Sequence, residues 1–116
     1  MGPGPGQVLR EARTDPARPF ADGSESWNEF LDRCGAVLRE LITRHPQGRV
    51  LVSGHAETVE AAATMLLRLP AGTCTRVRWA VAHASLTTWL IGQSPAGQEI
   101  VTLECHNDTR HLDDPQ

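Results

Sequence analysis

The stretch from Ser26 to His45, SWNEFLDRCGAVLRELITRH, constrains the fold more than any other part of the chain. Phe30, Leu31, Cys34, Val37, Leu38, Leu41 and Ile42 recur at steps of three and four, which sets them on one face of a helix. Ser26 followed three residues later by Glu29 has the form of a capping box, in which a hydroxyl and a carboxylate satisfy backbone donors at a helix start. Pro46 and Gly48 end the helix, because proline cannot continue the hydrogen-bond ladder and glycine accepts turn geometry. An amphipathic helix must bury its apolar face against another element. The next segment, Arg49–Ser53, reads as a short and nearly all-apolar strand, the type expected where both faces of a sheet are covered, so a strand enclosed by helices is expected.

A second helix fits Glu57 to Leu69, with Val59, Ala62, Ala63, Leu66 and Leu67 inward and Glu57 and Glu60 near its positive N-terminal end; Pro70 and Gly72 close it. The segment TRVRWAVAH alternates Val77, Trp79 and Val81 against Arg76, Arg78 and Ala80. SLTTWLIG and EIVTLE are further β-like runs, and the Ser-Pro-Ala-Gly turn between them predicts a hairpin. Helix, strand, helix and then three strands give an α/β fold, a sheet with flanking helices and an antiparallel C-terminal extension.

At 116 residues the chain is one domain at most, and a net charge of -3 offers no field attractive to a phosphate backbone, so nucleic acid is not expected as a partner. All 11 basic residues are arginine. Cys34, Cys74 and Cys105 are odd in number and lack metal-ribbon spacing, which points away from a disulfide framework and towards a reducing cytoplasm. No apolar run approaches the roughly 20 residues needed to span a bilayer, so no membrane partner is expected. Residues 1–23, rich in proline and glycine, read as a flexible arm, residues 24–112 as the ordered domain, and 113–116 as a solvated tail carrying Asp113 and Asp114.

His55 stands at the carboxyl end of the apolar segment, just before a helix. Open α/β sheets place their ligands there, and the first N–H groups of that helix, at Ala56 and Glu57, are available to an anion. By position His55 is therefore the candidate functional residue. The alternative is a strand-end histidine whose ring is held by a structural hydrogen bond.

From Gly23 onward the chain resembles the C-terminal half of the histidine phosphatase superfamily, the phosphoglycerate-mutase-like fold. The resemblance is carried by GSESWNEFLDR before the long helix, RHPQGRVLVSGHAETVEAA for strand, histidine and helix, HASLTTW for a strand pattern usually written Asn-x-Ser-Ile/Leu-Thr, and NDTRHL near the end. It implies phosphomonoester hydrolysis or phosphoryl transfer on a small phosphorylated metabolite, with no cofactor. A first histidine in an Arg-His-Gly motif attacks phosphorus, arginines bind the phosphoryl oxygens, a carboxylate protonates the leaving group, and a second histidine helps hold the phosphoryl oxygens. His55 matches that second histidine, and the backbone of Ala56 and Glu57 the substrate-binding helix start.

The sequence departs from the family pattern in several places. It contains no Arg-His-Gly: the Arg-His pairs are Arg44-His45, before Pro46, and Arg110-His111, within NDTRHL. Gly54 stands where a serine or other small residue is usual, Ala56 and Glu57 stand where glycines are common, and His83 replaces the usual asparagine. The chain begins about where the family's second half begins, so the expectation is a partial fold, inactive alone, with the Arg49–Ser53 edge open to a homodimer or a partner chain. A non-catalytic binding or regulatory module, and a half-site completed by a second chain or by His83 or His111 as nucleophile, are the alternatives. Cys105, His106, Asp108 and His111 have ligand chemistry but are explained by the terminal NDTRHL pattern, so no metal is expected. His45 reads as a helix C-terminal charge, and Trp27, Trp79 and Trp89 as core residues.

Overall fold

The computed structural model describes residues 15–19, 21 and 23–112. Most of the arm read over residues 1–23, and all of the tail 113–116, lie outside the described residues. The chain divides between Arg78 and Trp79 into two units. Its described elements are two helices and a two-stranded antiparallel sheet, a mixed α/β content.

In the first unit, helix α1 spans Trp27–Arg44, as its periodicity predicts. Ser26 caps it: the Glu29 N–H donates to Ser26 Oγ at 3.2 Å, and the Ser26 N–H donates to Glu29 Oε1 at 3.1 Å. Ser26 is 2% exposed and Trp27 1%, so the cap and the largest buried side chain of the unit are adjacent residues. Trp27 stacks on Phe30 with ring centroids 5.4 Å apart. The incoming chain is tied to this turn by the Asn28 N–H, which donates to the Pro16 carbonyl at 3.0 Å. At the other end the His45 N–H donates to the carbonyls of Leu41 and Ile42, making His45 the C-terminal cap.

Helix α2 spans Ala56–Leu66 and packs against α1. Small residues permit that approach: Ala61 and Ala63 are each 1% exposed, and a β-carbon on Gly35 would lie only 4.0 Å from the Met65 side chain. The buried face of α2 carries Glu60, Ala61, Ala63 and Leu66. One expectation changes here: Leu67, read as inward, is 44% exposed, while Glu60, near the positive end of the helix, is 3% exposed. The helix also ends three residues before Leu69. Arg68 adopts a left-handed conformation (φ 54), and Leu69 precedes Pro70, where the proline ring disfavours α geometry.

The expected strand Arg49–Ser53 is not a strand: none of its residues joins a ladder, and Val50, Leu51 and Val52 are 44%, 89% and 45% exposed. The sequence supplies strand-type side chains, but a strand exists only when a neighbour takes its N–H and C=O groups. TRVRWAVAH fails for the same reason. Thr73–Thr75 forms a short 3-10 turn around buried Cys74, and Arg76 to His83 join no ladder among the described residues.

In the second unit, strands β1, Leu86–Gln93, and β2, Glu99–Asp108, form the expected hairpin. Gly97 adopts φ 85 and donates its N–H to Ser94, whose own N–H donates to Gln98, so the Ser-Pro-Ala-Gly turn closes as its residues predict. Trp89 lies opposite Leu103 and Leu90 opposite Thr102. Large aliphatic side chains therefore stand exposed on both faces, Leu103 on one and Leu90 and Ile100 on the other. The ladder is irregular between Leu86 and Trp89. Beside that irregularity Thr87 Oγ1 meets His106 Nδ1 at 3.1 Å, and Asn107, in a left-handed conformation (φ 55), accepts the Ala82 N–H on its side-chain oxygen at 2.7 Å.

Candidate functional site

His55 is the N-cap of α2, with extended backbone (φ -108, ψ 178), and its side chain is exposed. Its carbonyl accepts the N–H groups of Thr58 and Val59 at 2.9 and 3.3 Å, and its own N–H points to Thr58 Oγ1 at 3.4 Å. The Thr58 hydroxyl thus plays in α2 the returning part that Glu29 plays in α1. Gly54 makes room for it: a β-carbon there would lie 2.6 Å from Thr58 Oγ1 and 2.9 Å from Thr58 Cβ. In Gly-His-x-x-Thr the glycine admits the threonine, and the threonine fixes the backbone of the histidine.

The N–H groups of Ala56 and Glu57 are the first two of the helix and by helix geometry have no acceptor within it. They lie beside an exposed imidazole at the positive end of the helix dipole, an arrangement that favours a bound oxyanion. The Glu57 carboxylate is half-buried in the same turn and opposes one.

A pocket of about 420 Å³ opens at this point, between the start of α2 and the first turn of α1. His55, Glu57 and Thr58 line it from one side, and Glu25, Trp27 and Phe30 from the other, with a predominantly apolar wall. Arg33 is close but committed. Its guanidinium donates to both oxygens of Glu25, at 2.6 and 3.1 Å, and lies 5.4 Å from the centre of the Phe30 ring. The Arg33 hydrogen bond holds the Glu25 carboxyl below its ordinary value. The site can therefore hold an anion through the imidazole and two backbone donors, with apolar surface beside it. Among the described lining residues no second histidine and no cysteine is present to act as a nucleophile.

The other candidates lie apart in sequence and environment. His45 caps the far end of α1, His83 sits exposed in a turn before β1, and His111 is exposed in the 3-10 turn Arg110–Leu112. Cys34 is half-buried, and burial raises its thiol above the ordinary value, which disfavours a thiolate. In the Cys105 to His111 stretch, Cys105 Sγ lies 3.4 Å from Thr88 Oγ1, His106 turns to Thr87, and Asp108 is taken by Arg110 at 2.8 Å. Among the described residues no three metal-ligating side chains converge.

Sequence reading singled out His55, Ala56 and Glu57 but passed over Thr58, Glu25 and Arg33. A hydroxyl residue three positions after an N-cap is a readable signal for Thr58.

Comparison with known proteins gives one family. No curated protein and no solved structure matches the chain. The family model for the histidine phosphatase superfamily (branch 1) matches residues 6–105, beginning within the segment read as an arm. Among the described residues no helix is long and apolar enough to cross a membrane. With His55 at a helix start, and with a match over most of its length, the chain belongs to the histidine phosphatase superfamily, branch 1.

Proposed function

We propose that this chain provides the phosphoryl-holding part of a histidine phosphatase site, with His55 and the backbone of Ala56 and Glu57 binding the oxygens of a phosphorylated small metabolite. The parent activity is phosphomonoester hydrolysis or phosphoryl transfer. One observation carries this reading: in a member of this superfamily, a histidine with an exposed side chain is the N-cap residue of a helix, at the mouth of an apolar pocket. Attack on phosphorus needs a nucleophile in line with the leaving group while other donors stabilise the equatorial oxygens, and one imidazole cannot do both. The sequence contains no Arg-His-Gly, so the chain alone binds phosphate and does not turn over. We further propose a cytoplasmic location, supported by three cysteines that are all free thiols.

The test is hydrolysis of an aryl phosphate from acidic to neutral pH, together with a titration of the His55 imidazole resonances with inorganic phosphate. The expected result is no turnover and a saturable shift of the His55 resonances, with phosphate binding measured by calorimetry lost in His55→Ala. Turnover that depends on His55 would mean a complete site and would overturn the inactive reading. A folded chain whose imidazole ignores phosphate would overturn the assignment of His55.

A second reading, a half-site completed by another chain, is favoured by the unladdered, exposed Val50–Val52 segment immediately before His55.

A further inference from the structure

We propose that the pocket beside His55 holds the organic part of the phosphomonoester, and that it selects a compact apolar group, an aryl ring, that carries no second anionic charge.

The wall supplies the first half of that selection. The pocket runs from His55 and Thr58 at the start of α2 to Phe30 on the first turn of α1, and its surface is predominantly apolar. Its volume of about 420 Å³ falls within the range of small-ligand sites. A phosphoryl group held at His55 has this pocket beside it for the ester substituent. Trp27, 1% exposed, stacks on Phe30 with centroids 5.4 Å apart, so the accessible ring rests on a side chain already fixed in the core. A wall fixed before binding loses little freedom when a ligand arrives, and covering it with an aryl group is favourable in proportion to the apolar area removed from water. A polyol gains less. Ser24 Oγ is tied to the Ala21 backbone in both directions, at 2.8 and 2.9 Å, and Thr58 Oγ1 faces the His55 N–H, so the hydroxyls around the wall are already engaged.

Charge supplies the second half. Arg33 lies against two of the lining residues. Its guanidinium is 5.4 Å from the centre of the Phe30 ring, yet it donates to both oxygens of Glu25, at 2.6 and 3.1 Å. That hydrogen bond holds the Glu25 carboxyl below its ordinary value, which keeps the pair intact into the acid range. Among the described lining residues the one basic side chain is that of His55, which the phosphoryl group occupies. A second carboxylate or phosphate on the ligand therefore loses hydration beside an apolar wall and finds no counter-charge there. This selectivity rests on His55 holding the phosphoryl group.

Phosphonates share the anionic head of a phosphomonoester and resist hydrolysis, so calorimetry of the full chain with methylphosphonate, phenylphosphonate and para-carboxyphenylphosphonate tests it. Phenylphosphonate should bind about tenfold more tightly than methylphosphonate, and the added carboxylate should cancel that gain. Phe30→Ala should bring phenylphosphonate down to the level of methylphosphonate. Glu25→Gln should release Arg33 and raise the affinity for para-carboxyphenylphosphonate to about that for phenylphosphonate. In the parent chain, equal binding of methylphosphonate and phenylphosphonate, or undiminished binding of the carboxylated ligand, overturns the selectivity and leaves His55 as the phosphoryl holder. Those comparisons need no variant, so they decide the matter even where a substitution unfolds the chain. A folded Phe30→Ala variant that keeps the preference overturns the part assigned to the ring, and a folded Glu25→Gln variant that still rejects the carboxylate overturns the part assigned to Arg33. If the parent chain binds none of the phosphonates, the reading of His55 falls and the selectivity with it.

Discussion

Thr58 stands over Gly54 so closely that a β-carbon on the glycine would fall 2.9 Å from the Cβ of the threonine, nearer than side chains approach. The clash is with a Cβ fixed to the helix, so no rotamer change relieves it. Gly54→Ala should therefore cost about 1–3 kcal/mol, the usual range for overpacking, and lower the thermal midpoint followed by circular dichroism. Thr58→Val keeps the volume and removes the acceptor for the His55 N–H. Its cost should be smaller, about 0.5–1.5 kcal/mol, the net value of one hydrogen bond.

Ser26→Ala removes a cap that is itself buried. Loss of an N-cap hydroxyl typically costs about 1 kcal/mol, and here the Glu29 N–H would lose its acceptor at the edge of the core. Urea titration should show a lower midpoint with an unchanged slope. Trp27→Ala, at the largest buried side chain, should cost about 3–5 kcal/mol and leave the first unit largely unfolded.

Two ion pairs give the stability a pH dependence of known sign. Arg33 holds the Glu25 carboxyl below its ordinary value, and Arg110 does the same, more strongly, for Asp108. A carboxyl whose folded value lies below its unfolded value, about 4, stabilises the fold above that pH. That contribution is lost as the pH falls through the folded value. Glu25→Gln should therefore reduce the loss of stability between neutral pH and about pH 3. Both pairs lie near the surface, so salt should diminish the difference.

Glu57 places a carboxylate in the turn that offers N–H groups to an anion. Glu57→Gln should tighten inorganic phosphate binding by about two- to fivefold, the effect of one charge near a helix end. Unchanged or weaker binding, measured by calorimetry, would show that the anion does not sit at this helix start.

The helices and the hairpin were legible because their signals are local. Ser26 and Glu29 cap α1 through a spacing of three residues, and Pro95 and Gly97 shape a turn they themselves occupy. Arg49–Ser53 was misread because β structure is a relation between two segments: Val50, Leu51 and Val52 have the right side chains and no strand partner among the described residues. Leu67 was misread as inward because the face of α2 that meets α1 is left open by the alanine-rich sequence AETVEAAATML. At the site, His55 was legible from its place before a helix. The Glu25–Arg33 pair, eight residues apart, was not, because its two ends flank a cap and share no repeating pattern.

The hairpin also makes a measurable prediction. Two strands alone are marginal in water, and β1 and β2 show exposed aliphatic side chains on both faces. Their amides should exchange with deuterium faster than those of mid-α1, by about tenfold or more. Protection equal to that of α1 would mean that the hairpin is covered in solution.

The packings of the two units each join neighbours in sequence, α1 with α2 and β1 with β2, across the short connections 45–55 and 94–98. Local closure is fast: loops of about ten residues meet within about 10–100 ns, and hairpins form in about 1–10 μs. A chain with this connectivity avoids the long search that non-local strand pairing imposes on other β-containing folds. If Arg49–Ser53 acquires its ladder from a second molecule, that step is bimolecular and its half-time depends on concentration. In a dilute solution the slow event for this protein is then encounter, and its assembly kinetics should scale with the amount present while its folding kinetics do not.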